Sequence, residues 1–144
     1  MNDSIRTADA PVPVGAYPHA RRAGDLLFLS GIGPRVPGSN EVPGNVVDAS
    51  GRLVACDIEA QCRQVFANAR TVLAACGAHW CDLVDVTVFL TDITRDFAAY
   101  NRAWAAQFPD PATAPCRTTL GITALPTAIA IELKCIARVV PRPR

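Results

Sequence analysis

The run LVDVTVFL at residues 83–90 decides the fold. It alternates apolar and polar positions and is rich in β-branched residues, the pattern of a strand half-buried in a sheet. On either side the period changes. Before it, Ile58, Cys62, Val65, Phe66, Ala69, Val72 and Leu73 recur at three- and four-residue spacing. That spacing predicts an amphipathic helix, with Asp57 as its N-cap and Gly77 as its terminator. After it, Asp92 to Phe108 reads as a second helix, with Phe97, Tyr100, Asn101 and Trp104 near one face. The proline-rich PDPATAP at 109–115 ends that helix.

Further out, strands are expected at Cys116–Thr123 and Ala128–Val139, separated by a turn at Leu125-Pro126-Thr127. On the N-terminal side, YPHARRAG and DLLFLSGIG bracket a two-residue turn at Gly24-Asp25, which reads as a β-hairpin. Leu26–Ser30 is apolar enough for a well-buried strand. Residues 34–55 form a long excursion, broken by Pro34, Pro37, Gly38, Pro43 and Gly44. A short hairpin is expected there, Val46–Val47 against Leu53–Val54, around Ser50-Gly51. Long loops in small domains are usually functional or disordered. Residues 1–13 read as a loose arm and 140–144 as a tail of a single domain spanning 1–144. The order β-β-(β)-α-β-α-β-β predicts an α+β fold, a mixed sheet with two helices on one face. The other face has no helix to cover it, and a partner subunit is its expected cover.

Composition narrows the function. The chain is 50% apolar and 19% charged, with a formal net charge of +1. No basic stripe, polybasic patch or membrane-length apolar run occurs, so neither a nucleic acid nor a membrane is expected as a partner. Thirteen of the fourteen cations are Arg; Lys134 is the only lysine, and Schiff-base chemistry would rest on it alone. The six cysteines, at 56, 62, 76, 81, 116 and 135, form no CxxC pair and no zinc-spaced cluster with His19 or His79. The N-terminus MNDSIRTADAPVP has no secretory pattern. These features predict reduced, mostly buried cysteines in a cytoplasmic protein without a metal site. Dinucleotide, P-loop, serine-hydrolase and zincin motifs are absent.

Two ionisable residues lie in otherwise apolar strands: Arg117 in PCRTTLGI and Glu132 in AIAIELKCIA. A buried guanidinium costs several kcal/mol unless it is paired. One solution is an Arg117–Glu132 ion pair across neighbouring strands. The other leaves Arg117 for a substrate carboxylate, which its planar fork matches, and Glu132 for acid/base work with a pKa raised by a partly dry pocket. Tyr17 and His19, two apart, are expected on one strand face; either could contact a flat or anionic ligand, or be structural. Ser30-Gly31 offers a hydroxyl and a bare backbone for close ligand approach. Cys116 is a weaker nucleophile candidate, because no nearby residue identifies its base.

Over residues 10–139 the chain resembles the RidA family of imine/enamine deaminases. The resemblance is carried by VGAYPHARRAGDLLFLSG, DIEAQCRQVFANARTVLAACGA, DLVDVTVFLTDITRDFAAYNRAW, PCRTTLGI and AIELKCIARV. It implies a chorismate-mutase-like fold and a homotrimer with active sites between subunits. It also implies that Arg117 binds the substrate carboxylate and that Glu132 orients water, with no cofactor. Tyr17, Ser30, Gly31, Asn101 and Thr119 fall at further substrate-binding positions. Pro18-His19 and the extended loop through 34–55, with Arg35, depart from the plain pattern and look like the 2-aminomuconate deaminase branch. The expected reaction is therefore 2-aminomuconate to 2-hydroxymuconate or 4-oxalocrotonate plus ammonia, in aromatic-compound catabolism. His19 or Arg35 would meet the second carboxylate. Deamination of small 2-aminoacrylate-type imines, or a non-catalytic metabolite-binding or chaperone-like trimer, are the alternatives. A ring-modifying mutase is suggested by fold analogy alone.

Overall fold

The computed structural model describes residues 3–141. Six strands form the main sheet: β1 (Ser4–Ile5), β2 (Ala20–Ala23), β3 (Leu26–Leu29), β6 (Leu83–Leu90), β7 (Cys116–Gly121) and β8 (Ile131–Arg138). A separate hairpin joins β4 (Val46–Val47) to β5 (Leu53–Ala55). The helices are α1 (Ile58–Ala75) and α2 (Ile93–Gln107). The main sheet runs in the order β1-β2-β3-β8-β6-β7. β6 is antiparallel to β8 and parallel to β7, so the sheet is mixed as expected.

Local chemistry sets the helix limits. The Asp57 side chain accepts from the Ala60 amide at 3.0 Å and opens α1. At the other end Gly77 has φ +72°; its amide donates to Ala74 O at 3.0 Å and the Ala78 amide donates to Leu73 O at 2.9 Å. These are the paired bonds of a Schellman stop, with glycine where the left-handed residue is needed. Asp92 caps α2 by accepting from the Arg95 amide at 3.0 Å.

Alternation along the strands gives the sheet two unlike faces. Leu27, Leu29, Val86, Val88, Leu90, Ile131, Leu133 and Cys135 are buried together with Val65, Phe66, Val72 and Leu73 of α1 and Tyr100 and Trp104 of α2. Each large side chain buried there contributes about 1.5–3 kcal/mol. The opposite face carries Phe28, Thr87, Phe89, Glu132, Lys134 and Ile136, with no helix of the described residues over it; Phe28 is 37% exposed.

Several expectations need correction. The arm is not loose from Asp3 onward: β1 pairs with β2, and side chains clasp the stretch that follows. Residues 1–2 of that arm and 142–144 of the expected tail lie outside the described residues. Tyr17 and His19 precede β2 rather than lying on a strand. The last two strands are shorter than expected and are not neighbours, because β6 lies between them. Cys62, Cys76 and Cys135 are buried, but Cys56 is only half-buried and Cys81 and Cys116 are exposed, so burial covers only half of the cysteines. No helix among the described residues is long and apolar enough to cross a membrane.

Candidate active site

Arg117 pairs in register with Val86 and therefore projects from the helix-covered face at the sheet edge. Three residues of α2 receive it. Its Nη1 donates to Asn101 Oδ1 at 2.9 Å, and its guanidinium carbon lies 5.2 Å from both the Tyr100 and the Trp104 ring centroids. Beneath, the Tyr100 hydroxyl and Thr119 Oγ1 share a hydrogen bond of 2.7 Å, which fixes that ring. Burial pushes the Tyr100 hydroxyl to a higher pKa, so it stays neutral under the cation. Among the described residues no carboxylate lies within ion-pair distance of Arg117. The result is a guanidinium oriented by a neutral amide and two ring faces, with most of its donor fork still available.

Glu132 pairs with Phe89 and projects from the open face. The expected alternative of an Arg117–Glu132 ion pair is therefore not formed: β6 intervenes and the two side chains leave opposite faces. The Glu132 carboxyl packs on Gly31, where any Cβ would come within 2.9 Å of Cδ and 3.1 Å of both carboxyl oxygens. A bare glycine is required for that approach. Reciprocal bonds of 2.9 Å between Ile32 and Leu133 fix the loop beside it. Burial raises the Glu132 pKa above the ordinary glutamate range, and no hydrogen-bond donor or cation among the described residues opposes that rise.

The remaining expected residues gather on a cleft lined by Tyr17, His19, Ser30, Gly31 and Arg35, closed by Ala10, Pro11 and Pro13 of the arm. Ser30 Oγ donates to Pro18 O at 2.7 Å. The Tyr17 hydroxyl accepts from the Val14 amide at 3.2 Å. His19 has both ring nitrogens engaged: Nδ1 accepts from the Thr7 amide at 3.3 Å, and Nε2 donates to Pro11 O at 2.8 Å. Both contacts tie the ring to the arm. Arg35 donates to Val12 O at 2.7 Å and to Asn40 Oδ1 at 2.9 Å.

The chain thus holds two separate groups of candidate residues. Arg117, Asn101 and Thr119 lie together on β7 and α2. Tyr17, His19, Ser30, Gly31 and Arg35 lie together beyond β3, with Glu132 touching them through Gly31. Three strand spacings separate β3 from β7, roughly 14 Å. Sequence reasoning missed the cradle formed by Tyr100 and Trp104. Their four-residue spacing on one helix face was visible but reads equally well as core. It also missed Asn68, which is 1% exposed and holds the loop bearing Arg35. Lys134 donates to Leu29 O, and no group of three or more metal-ligating side chains occurs among the described residues.

A mixed sheet with two helices, an edge-strand arginine over an aromatic cradle and a glycine-backed glutamate define a narrow class. The family model described as Endoribonuclease L-PSP matches residues 7–139. A RutC family protein of Pyrococcus horikoshii is 35% identical over 137 residues, covering 95% of this chain and 98% of its own. The Escherichia coli protein named 2-iminobutanoate/2-iminopropanoate deaminase is 33% identical over 138 residues, covering 95% and 98%. The crystal structure of RidA from an Antarctic Psychrobacter superposes with a TM-score of 0.79 at 29% identity, covering 94% of this chain and 98% of that one. The chain belongs to this RidA/RutC family.

Proposed function

We propose that this protein is a hydrolytic deaminase of imines and enamines of 2-amino acids, working from clefts between copies of the chain. The observation that carries the reading is the state of Arg117: aimed by Asn101, stacked on Tyr100 and Trp104, and with no carboxylate partner among the described residues. A substrate carboxylate completes it, and charge-assisted bonds to a fixed fork contribute about 1.5–3 kcal/mol each. The name of the Escherichia coli relative supports this chemistry.

In the proposed cycle, an enamine tautomerises to its imine while one copy's Arg117 holds the adjacent carboxylate. Glu132 of a neighbouring copy takes a proton from water as the oxygen attacks the imine carbon. The same proton passes to nitrogen. The carbinolamine then collapses to the carbonyl as its hydroxyl proton passes through Glu132 to nitrogen, which leaves as ammonia, so one imine and one water give one 2-oxo acid and one ammonia. A carboxyl with a raised pKa suits both transfers. A homotrimer would cover the open sheet face and bring the two groups of residues together.

Within this chemistry we assign 2-aminomuconate as the substrate and aromatic-compound catabolism as the setting. The cleft cation Arg35 and the long 34–55 excursion that carries it support a substrate with two carboxylates. Ammonia release decides it: fresh 2-aminomuconate should be turned over at least about tenfold more efficiently than 2-iminobutanoate, and Arg117→Ala should lose both activities. Equal or reversed rates would leave the general imine deaminase and remove the muconate assignment.

A further inference from the structure

Arg35 is anchored from below and tethered from above. Asn68, buried on α1, donates through Nδ2 to the carbonyls of Gly33 at 2.9 Å and Arg35 at 2.8 Å, and its own oxygen accepts from Gln64 at 2.9 Å. These bonds fix the backbone from which the Arg35 side chain enters the cleft. Above, the guanidinium is bound to two uncharged oxygens, Val12 O and Asn40 Oδ1. No Asp or Glu among the described residues forms an ion pair with it. The cation therefore faces the cleft with its charge unbalanced, beside Tyr17, Ser30 and Gly31.

The arm that supplies the Val12 carbonyl is held by hydrogen bonds. They are the His19 bonds to Thr7 and Pro11, and the Val14 amide on the Tyr17 hydroxyl. Val12 and Val14 are 72% and 54% exposed, so only Pro11 and Pro13, both half-buried, lose apolar contact with the cleft when residues 11–14 lift. A carbonyl offers a guanidinium one dipole. A carboxylate offers a full charge and two oxygens at the spacing of the fork, and such bonds are about twice as strong.

We infer that Arg35 is an anion-binding position of the cleft, occupied in this structure by the chain's own Val12 carbonyl, and that a ligand with a second carboxylate displaces the arm from it. The inference rests on the reading of this cleft as the substrate site. It makes residues 11–14 a strap that opens for dicarboxylates and stays closed over monocarboxylates.

Two unreactive ligands of equal length test this: trans,trans-muconate, with two carboxylates, and sorbate, with one. Calorimetry on the wild-type protein should give muconate at least about tenfold the affinity of sorbate. Arg35→Met should bring that ratio close to one while leaving sorbate affinity within about twofold. Arg35→Lys, which keeps the charge but not the fork, should fall between. Hydrogen exchange in residues 7–14 should accelerate with muconate and not with sorbate. A muconate preference that survives Arg35→Met, or no binding of muconate to the wild type, overturns the subsite. Unchanged arm exchange with muconate bound overturns the displacement. Arg117→Gln separates this from the deaminase reading. If that variant still binds both ligands while Arg35→Met loses the preference, the Arg117 clamp fails and the Arg35 subsite stands.

Discussion

Arg117 and Glu132 lie on strands with only β6 between them, yet they project from opposite faces of the sheet. One chain cannot bring them to the same substrate atom. If the two work together, the arginine of one copy must meet the glutamate of another. Arg117→Ala and Glu132→Ala should each be inactive alone, but the two variants refolded as a mixture should recover activity. Random assembly puts an intact arginine beside an intact glutamate at about one site in four, so about a quarter of wild-type turnover is expected. A mixture as inactive as its components would show that each chain works alone.

Gly31→Ala adds one methyl group at the back of the Glu132 carboxyl, where it would sit within 2.9 Å of Cδ. The carboxyl must swing away. Turnover should fall by about a hundredfold, in line with misplacement of a reacting group by around an ångström. Circular dichroism should be unchanged, because the Ile32–Leu133 pairing beside it is untouched.

Glu132 sets a pH dependence of defined sign. Burial raises its folded pKa above the ordinary value of 4.5, so the folded protein holds this proton more tightly than the unfolded chain. Its contribution favours folding most below pH 4.5 and is lost as the pH rises through the folded pKa. Catalysis runs the other way, since the base must be ionised. The ascending limb of kcat/KM should therefore lie above pH 4.5. Glu132→Gln should abolish turnover and flatten the rise in urea midpoint on acidification across this range.

Trp104 gives an optical report on the arginine. It is one of two tryptophans and lies 5.2 Å from the Arg117 guanidinium, whereas Trp80, which packs on the same Phe108 ring as Trp104, lies 4.1 Å from Arg70. Binding of a carboxylate should change the fluorescence of the wild type. Trp104→Phe should lose most of that change and raise KM about two- to fivefold, the scale of one partly exposed cation–π contact. An unaltered signal in that variant would place the ligand elsewhere.

Asn68→Leu removes a side chain that donates to two loop carbonyls. Leaving those acceptors unpaired should lower stability by about 2–4 kcal/mol. The effect should appear in chemical denaturation as a lower midpoint with an unchanged slope.

Local signals were the most legible part of the fold. The strand read from LVDVTVFL spans Leu83–Leu90 without adjustment, and Asp57, Gly77 and Asp92 punctuate the helices as their chemistry dictates. Strand order was less accessible. Cys116–Gly121 and Ile131–Arg138 follow one another in the chain, and nothing local reveals that β6 inserts between them. The arm was misread because its order comes from distant partners, His19 and Arg35, rather than from its own sequence. In the candidate site, Arg117 and Glu132 stood out as charges in apolar strands. What oriented them did not, since aromatic residues on a helix face and a glutamine-asparagine helix carry the same pattern whether they serve the core or a ligand.

Two buried amides of α1 have a practical consequence. Asn68 nails down Gly33 and Arg35, while Gln61 donates to Asn45 at 2.6 Å and accepts from the Ala130 amide at 2.8 Å. Both ends of the intervening span are thus welded to the same helix. Residues 36–43 become an exchangeable cassette whose length is nearly free, since doubling a loop costs only about 0.6 kcal/mol, whereas Gly44, at φ +74° and packed on Asp57, stays. Splicing other loops between those two welds would alter what the cleft admits while the supporting framework stays put.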